Sequence, residues 1–190
     1  MAANVDRLLT IDDLDAFPDD DGNRYELIEG ELYVSRSPGL PHQFVLQNLQ
    51  TELILYLRAN PIGVLVPGVG TIFSIYDAVI PDIAFIRNER FKQVTSDEKV
   101  IAAPDIVVEI LSRGSGNRRR DLQVKRRLYA NYSVAEYWVV DREDRSVLIF
   151  QLKGNTLEET RKVQDEDLLT SPLLPGFELK LQTIFSIPMP

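Results

Sequence analysis

The chain has 190 residues, of which 44% are hydrophobic and 26% charged, and it carries a net charge of −8. These values are ordinary for a globular protein, and the length suits one domain, so we expect residues 1–190 to fold as a single domain. No run approaches the ~18 apolar residues of a membrane helix, the N-terminus lacks the pattern of a signal peptide, and the absence of cysteine excludes disulfides and thiolate metal sites. These exclusions fit a cytoplasmic location.

The first predicted elements are two helices separated by a hairpin. Thr10 begins a capping pattern, and residues 1–20 are expected to form an N-terminal helical extension. Residues 25–35 (YELIEGELYVS) predict a hairpin with a Glu-Gly pair at its turn. Leucines at three- and four-residue spacing predict a helix over residues 42–58, which an Asn-Pro pair ends.

The remainder of the chain is predicted to be mostly strands around a second helix. A loop rich in Gly, Ser and Arg is expected over residues 113–120, followed by a helix over residues 121–132. This order predicts an α/β or α+β fold with a mixed β-sheet flanked by helices and an N-terminal hairpin. The predicted strands are residues 63–67, 71–74, 78–86, 105–112 (a sheet centre), 136–141 and 146–152, with a last strand and short turn in 176–185.

Two of these strands each contain one charged residue among apolar neighbours. Asp82 is the only charge in AVIPDIAFI, and Glu109 is the only charge in IVVEIL. Alternation places Glu109 on the face of Val107 and Leu111, and Pro81 predicts an edge or a bulge beside Asp82. A buried carboxylate is costly unless it is paired. If both carboxylates share one face, their oxygens can hold a hard cation such as Mg²⁺. The alternative is that both lie at the rims of their strands.

Lys125 lies on the apolar face of the second predicted helix. It follows Leu122 by three residues and precedes Leu128 and Tyr129 by three and four, so it shares their face. An ammonium group beside two carboxylates can orient a water nucleophile and offset charge on a phosphate. The alternative is snorkelling, in which the stem packs and the ammonium reaches water.

Basic residues are concentrated in one segment of this acidic chain. A net charge of −8 argues against a general nucleic-acid binder. Seven of the 21 basic residues nevertheless fall within residues 113–127, including Arg118, Arg119 and Arg120. This segment is predicted to contact phosphates, and the alternative is a solvated loop and helix face.

Five phrases that occur in order along the chain resemble a known family. They are YELIEGEL, VIPDIAF, PDIVVEILS, RRRDLQVKRRLYANYSVAEYWVVD and SPLLPGFELKL. Together they resemble the Uma family (domain of unknown function 820), a family of putative restriction endonucleases in the PD-(D/E)XK nuclease superfamily. The resemblance covers about residues 25–181.

This resemblance implies a restriction-endonuclease-like core. Asp82 matches the first motif aspartate, Glu109 the second acidic residue and Lys125 the lysine. The superfamily's usual lysine stands two residues after the second acid, where this chain has Leu111. The loop after Ser112 also departs, since it reads RGSGN where relatives often have Pro, Ser and Thr.

The resemblance also implies roles for further groups. Asp82, Glu109 and the carbonyl of Ile110 are expected to hold Mg²⁺ or Mn²⁺, while Lys125 positions the attacking water. Glu26 matches a family position near the metal; its alternative is a solvent-facing hairpin residue. His42, the only histidine, begins the long predicted helix and is a candidate phosphate contact, with a plain helix start as the alternative.

The sequence therefore predicts a Mg²⁺- or Mn²⁺-dependent DNA endonuclease. Double-stranded DNA is the favoured substrate, and a homodimer is expected because cutting both strands takes two sites. The alternative is a catalytically inactive nuclease-like module for nucleic-acid binding or assembly, which the net charge of −8 favours. Ser112 and Ser115 lack a histidine–acid partner set, which argues against a serine hydrolase. The single histidine and absent cysteines argue against the usual zinc sites, and no glycine-rich phosphate motif occurs.

Overall fold

The structure, a computed structural model, describes residues 7–18, 21–96, 99–164 and 166–186. It contains two six-stranded sheets and a two-stranded hairpin, with helices packed against them. The helices are α1 (Ile11–Leu14), α2 (Leu40–Ala59), α3 (Asn88–Val94), α4 (Ser115–Arg119) and α5 (Arg126–Asn131), with a π-helical segment at Arg120–Lys125 and a 3₁₀ turn at Leu181–Thr183. The strands are β1 (Asn23–Ile28), β2 (Glu31–Arg36), β3 (Gly63–Pro67), β4 (Thr71–Ser74), β5 (Asp77–Val79), β6 (Ile83–Arg87), β7 (Thr95–Ser96), β8 (Lys99–Val100), β9 (Ile106–Ile110), β10 (Glu136–Asp141), β11 (Ser146–Lys153), β12 (Thr156–Gln164), β13 (Leu168–Ser171) and β14 (Leu174–Lys180).

The central sheet has the order β12-β11-β10-β9-β6-β3. Its strand β9 is buried throughout and lies between parallel β10 and antiparallel β6. Ile106, Val108 and Ile110 pack into the core cluster that includes α2. Val107 and Leu111 pack on the opposite face. The predicted fold class, the central strand and its alternation are therefore confirmed.

The other six-stranded sheet has the order β2-β1-β5-β4-β8-β7 and begins with the predicted hairpin. Glu29 and Gly30 at its turn have φ angles of 55° and 75°. Two positive φ angles in a two-residue loop are the geometry of a type I′ turn. The turn is thus the one that the Glu-Gly pair predicted.

The chain passes from one sheet to the other at residues 80–82. β5 ends at Val79 in the hairpin's sheet, and β6 starts at Ile83 in the central sheet. The prediction of one continuous strand over residues 78–86 is therefore wrong. Pro81 has no amide hydrogen for a ladder, which explains why the strand breaks there. The break leaves Asp82 at the junction of the two sheets.

The segment that begins at Ser115 is helical, so the predicted loop over residues 113–120 is wrong. α4, the π-helical segment and α5 follow one another without a break in helical backbone angles. Gly and Ser lower helix propensity. Here an ion pair between Arg118 and Asp141 and the burial of Asp121 anchor the helix to the central sheet.

Several short or polar elements were not predicted from sequence, namely α3, β7, β8, β12 and β13. The alternation of buried and exposed side chains is weak in β12, because only Leu157 and Val163 are buried. The predicted N-terminal extension is described only over residues 7–18, where α1 has the expected capping box between Thr10 and Asp13; residues 1–6 and 19–20 lie outside the described residues. None of the helices in the described ranges combines the length and apolar character of a membrane span.

At Gly63, β3 lies so close to β6 that a side chain should destabilise the fold. A Cβ atom at Gly63 would lie 2.5 Å from the carbonyl oxygen of Ile86 and 2.6 Å from the ring of Phe85. Gly63→Ala should therefore lower the free energy of unfolding by about 1–3 kcal/mol, as overpacking does. The matched control is Gly70→Ala, where no atom lies within 4 Å of the new methyl group. Chemical denaturation of both variants checks this, and equal midpoints would contradict it.

Candidate active site

Asp82 and Glu109 lie opposite each other on one face of the central sheet. Antiparallel β6 and β9 pair Ala84 with Val107. Glu109 lies two residues after Val107 in β9, and Asp82 lies two residues before Ala84, directly before β6 begins. Because side chains alternate with a period of two, both carboxylates fall on the face of the Ala84–Val107 pair. The sequence predicted a shared site on the condition that both carboxylates lie on one face of the sheet. The register of β6 and β9 meets this condition.

Asp82 is held by three donors. Its Oδ2 accepts the N–H of Ile110 at 2.8 Å and lies 3.1 Å from Nε2 of His42. Its Oδ1 accepts a hydrogen bond from Arg24 at 3.3 Å. Burial opposes ionisation, but the bonds from His42 and Ile110 hold the pKa of Asp82 below its ordinary value. Asp82 is therefore a fixed carboxylate.

The ammonium of Lys125 joins the two glutamates. Lys125 is 1% exposed, and its Nζ donates to Oε1 of Glu26 and to Oε1 of Glu109, each at 2.8 Å. The ammonium stays in the interior, so the snorkelling alternative does not hold. Glu26 is likewise buried on β1, where its Oε1 also accepts the N–H of Ile80 at 2.8 Å. The alternative of a solvent-facing Glu26 is therefore wrong.

A tyrosine completes the set around Glu109. The hydroxyl of Tyr129 donates to Oε1 of Glu109 at 2.7 Å, and both residues are buried. Tyr129 was identified from sequence only as an apolar neighbour of Lys125. Its spacing, one helical turn after Lys125, was the available signal that its hydroxyl faces the same carboxylate.

The π-helical segment Arg120–Lys125, between α4 and α5, carries the buried polar side chains of this helical region. Within it Asp121 and Lys125 are buried, whereas Leu122 is only partly buried. The predicted face of Lys125 with Leu128 and Tyr129 is confirmed, and Leu122 packs, partly buried, against the same cluster. Asp121, which was not predicted to be buried, lies at 1% exposure next to Leu122 in the chain. A π-helical turn changes the angular spacing of side chains, and such turns occur frequently at functional sites.

Burial dominates the electrostatics of the glutamate and lysine. Burial raises the pKa of Glu109 to about 8, with Asp82, Asp121 and Glu26 adding to the rise and Lys125 opposing it. Burial alone would lower the pKa of Lys125, but the charges of Glu109, Glu26 and Asp121 raise it above its usual value. Lys125 is thus a permanent cation, while Glu109 is a carboxylate whose charge the site only partly compensates.

These residues form the floor of a cavity of about 540 Å³. Around them the cavity wall is basic: six arginine or lysine residues line it against three carboxylates. This balance is the reverse of the chain's net charge of −8. The six are Arg24, Arg36, Arg113, Arg120, Lys125 and Arg142, and the three are Glu26, Asp82 and Glu109.

The predicted phosphate-binding residues point in different directions. Arg120 lines the cavity and is paired with Asp121 at 2.9 Å. Arg118 is paired with Asp141, on a smaller neighbouring cavity, and Arg119 is exposed.

His42 lies at the cavity wall but is buried against Asp82. Its Nδ1 has no hydrogen-bond partner among the described residues. His42 is the third residue of α2, which begins at Leu40 rather than at His42.

Three further arginines of the wall were not predicted. Arg24 and Arg36 lie at the same end of the β1–β2 pair, away from its turn, because Arg36 pairs with Asn23 and Arg24 with Ser35. Arg142 directly follows β10. Arg24 and Arg36 lie far along the chain from the basic segment at residues 113–127, and Arg142 is separated from it by β10. Only the folding of the hairpin onto the central sheet brings them together, so sequence carried no local signal for them.

The oxygen donors fit a hard divalent cation in kind. The hydrogen bonds to Glu26 and Glu109 all fall on Oε1, which leaves each Oε2 for another partner. The N–H and C=O of a strand residue point to the same edge, so the carbonyl of Ile110 faces the Asp82 side, where its N–H is bonded. Carboxylate and carbonyl oxygens are the ligands that Mg²⁺ prefers. Among the described residues, no group of three or more His, Asp or Glu side chains has the spacing of a metal site. The ammonium of Lys125 lies between Glu26 and Glu109.

Comparison with known proteins gives the family and the fold. The Uma2 family, described as "Putative restriction endonuclease", matches residues 11–182. A putative nuclease of DUF820 from Anabaena variabilis ATCC 29413 superposes with a TM-score of 0.74 at 17% identity, over 93% of this chain and 97% of that one. The type IIG restriction endonuclease BpuSI gives a TM-score of 0.40 at 12% identity, over 76% of this chain and 15% of that one, which is too low to support an argument.

Among curated proteins none matches this chain. The first of the two solved structures shares the fold across nearly its whole length, which agrees with the restriction-endonuclease-like core expected from the sequence. Because the family match spans most of the chain, the chain belongs to the Uma2 family.

Proposed function

We propose that this protein is a metal-dependent nuclease that hydrolyses phosphodiester bonds of DNA in the cavity above Asp82, Glu109 and Lys125. The observation that carries the proposal is the buried contact of Lys125 with two carboxylates, beside a third, on the floor of a basic cavity. Membership of the Uma2 family supports a nuclease activity.

Asp82, Glu109 and the carbonyl of Ile110 are the groups that would hold Mg²⁺ or Mn²⁺. When bound, such a cation supplies Lewis-acid charge to a phosphate oxygen and lowers the pKa of a bound water. Asp82 is held ready for this role by Arg24 and His42.

The remaining groups act on the water and on the phosphate charge. Lys125 places its ammonium between Glu26 and Glu109 at 2.8 Å from each, where it can orient a water molecule and offset charge that develops on the phosphate. Glu26 fixes Lys125, and Tyr129 fixes Glu109. The arginines of the wall attract the phosphate backbone.

A second function is favoured by one observation. Lys125 pairs with Glu26 and Glu109, and Arg24 and His42 contact Asp82, so each of the three carboxylates already has a partner within the protein. A nuclease-like module that binds nucleic acid without cutting it would have this property. Incubation of the purified protein with plasmid DNA and Mn²⁺ separates the two functions, because only the nuclease gives EDTA-sensitive cleavage.

The proposed metal site predicts that a divalent cation raises the melting temperature of the protein. Mg²⁺ or Mn²⁺ should raise the melting temperature, because a ligand at about 100 times its Kd stabilises the folded state by about 2.7 kcal/mol. Asp82→Ala and Glu109→Ala should each lose most of the rise. Glu136→Gln is the matched control, since Glu136 is a buried carboxylate bound to Trp138 and Gln151 outside the cavity. Full metal responses in both alanine variants would place the metal elsewhere.

The raised pKa of Glu109 predicts that this response depends on pH. A metal ligand must be deprotonated, and burial raises the pKa of Glu109 to about 8. A proton therefore competes with the cation below that pH, and the metal-induced rise should be smaller at about pH 6.5 than at about pH 9. Glu109→Gln has no proton to lose, so its residual response should not change over this range. Differential scanning fluorimetry at both pH values measures this, and a wild-type response independent of pH would contradict the assignment.

Lys125→Met tests the catalytic role of the ammonium. Methionine keeps the stem but leaves Glu26 and Glu109 without their shared cation, and breaking a buried ion pair costs about 3–5 kcal/mol. We expect lower stability without metal, a larger stabilisation by Mn²⁺ than in the wild type, and at least roughly 100-fold slower cleavage, a typical loss for one electrostatic donor. Lys153→Met is the control, because Lys153 is 59% exposed and pairs with Glu158 at the surface. Wild-type cleavage by a folded Lys125→Met protein would refute the role.

A further inference from the structure

The wall of the cavity contains two arginines that are not engaged by carboxylates. Arg36 is exposed at the end of the edge strand β2, and Arg142 is partly buried directly after β10. The ion pairs among the described residues include neither of them, and Arg142 makes a hydrogen bond to the carbonyl of Leu111 at 3.3 Å. By contrast, Arg24 and Arg120 on the same wall bind Asp82 and Asp121. Arg113, also on the wall, makes a long ion pair of 3.7 Å with the exposed Glu143. Arg36 and Arg142 are therefore the arginines of the wall that have no ion pair with a described carboxylate.

The floor of the cavity is formed by buried side chains. Glu26, Asp82, Glu109 and Lys125 are between 1% and 4% exposed, so a scissile phosphate must enter the cavity to reach them. A volume of about 540 Å³ lies within the range of roughly 300–1,000 Å³ that is usual for small-molecule sites. Such a space holds a nucleotide or two. It does not hold a helix whose major groove alone is about 12 Å wide.

We propose that the cavity takes a single-stranded segment of DNA, whose phosphates are held by Arg36 and Arg142 while one phosphate reaches the floor. This inference rests on the proposed function and replaces the expectation of a double-stranded substrate. Taking a whole nucleotide out of a duplex costs a few kcal/mol of unpairing and unstacking, and a nucleotide that is already single-stranded avoids this cost. A cavity that accepts a nucleotide and not a helix therefore favours a single strand.

The composition of the wall indicates how the strand is held. The described residues that line the cavity include no Phe, Tyr or Trp, so the base stacking of typical single-strand binders is not provided there. We therefore expect the protein to bind the strand through its phosphates. Binding should therefore be independent of sequence and sensitive to salt.

The binding experiment compares one sequence in two forms. Fluorescence anisotropy in EDTA measures the affinity of the wild-type protein for a labelled single-stranded oligonucleotide and for its blunt-ended duplex. We expect at least about tenfold tighter binding of the single strand, equivalent to about 1.4 kcal/mol. Arg36→Gln and Arg142→Gln should each weaken binding to the single strand and reduce its salt slope by about 0.7, the value for one phosphate contact on a single strand.

Arg58→Gln is the matched control for both arginine variants. Arg58 is an exposed arginine in the last turn of α2, and its Cα lies about 24 Å along the helix axis from that of His42 at the cavity wall, at 1.5 Å per residue. This substitution removes the same charge from the protein without touching the cavity. We expect it to leave the affinity and the salt slope unchanged.

A cleavage experiment separates this inference from the proposed function. With Mn²⁺, circular single-stranded DNA and a duplex with an unpaired bubble should be cut faster than a fully paired, closed duplex. Cleavage of the closed duplex at the same rate would leave the nuclease proposal standing and overturn the inference. Tight, Arg36- and Arg142-dependent binding of single strands without cleavage of any DNA would overturn the nuclease proposal and support the inference. Equal affinity for both forms, or binding unaffected by both variants, overturns the inference.

Discussion

The ammonium of Lys125, held between Glu26 and Glu109, is the contact on which the rest of the site depends. It joins three parts of the molecule that are distant in sequence: β1, the central strand β9 and the helix that contains the π-helical segment. Two buried carboxylates of the same charge repel each other, and their burial is expensive without a cation. The ammonium relieves both costs, but it also lies where carboxylate oxygens meet. Any divalent cation in this site must therefore coexist with Lys125, which makes the lysine both a structural and an electrostatic part of the centre.

Two irregularities of the backbone make this arrangement possible. The strand break at Pro81 moves the chain from one sheet to the other and leaves Asp82 where its carboxylate can accept the N–H of Ile110. The π-helical segment presents Asp121 and Lys125 together on the buried side. Regular structure at either place would satisfy backbone hydrogen bonds more simply. Deviations of this kind persist where the surrounding structure fixes them, and they are frequent at functional sites.

The sequence predicted the parts of this site that depend on local periodicity. Alternation in IVVEIL placed Glu109 on the correct face, and helical spacing placed Lys125 with Leu128 and Tyr129. It could not give the π-helical spacing of residues 120–125, because the prediction assumed the regular α-helical period of about 3.6 residues. It also missed polar elements such as β12, whose pairing with β11 supplies the stability that its composition does not. Three arginines of the wall, Arg24, Arg36 and Arg142, were missed because their proximity to the site is a property of the tertiary fold.

The distribution of charge explains how an acidic chain can offer a site for a polyanion. Interactions between exposed charges are largely screened beyond a Debye length of about 8 Å at physiological ionic strength, so a net charge of −8 does not determine the potential inside one cavity. There the balance of six basic residues against three carboxylates favours an anion. The remaining surface, which carries the excess of acidic groups, repels nucleic acid over longer distances at low salt. If the proposed function is correct, a phosphate backbone would be attracted where it can enter the cavity, and binding along the rest of the surface would be weaker. Net charge would then act on selectivity, and the local charges of the cavity on binding.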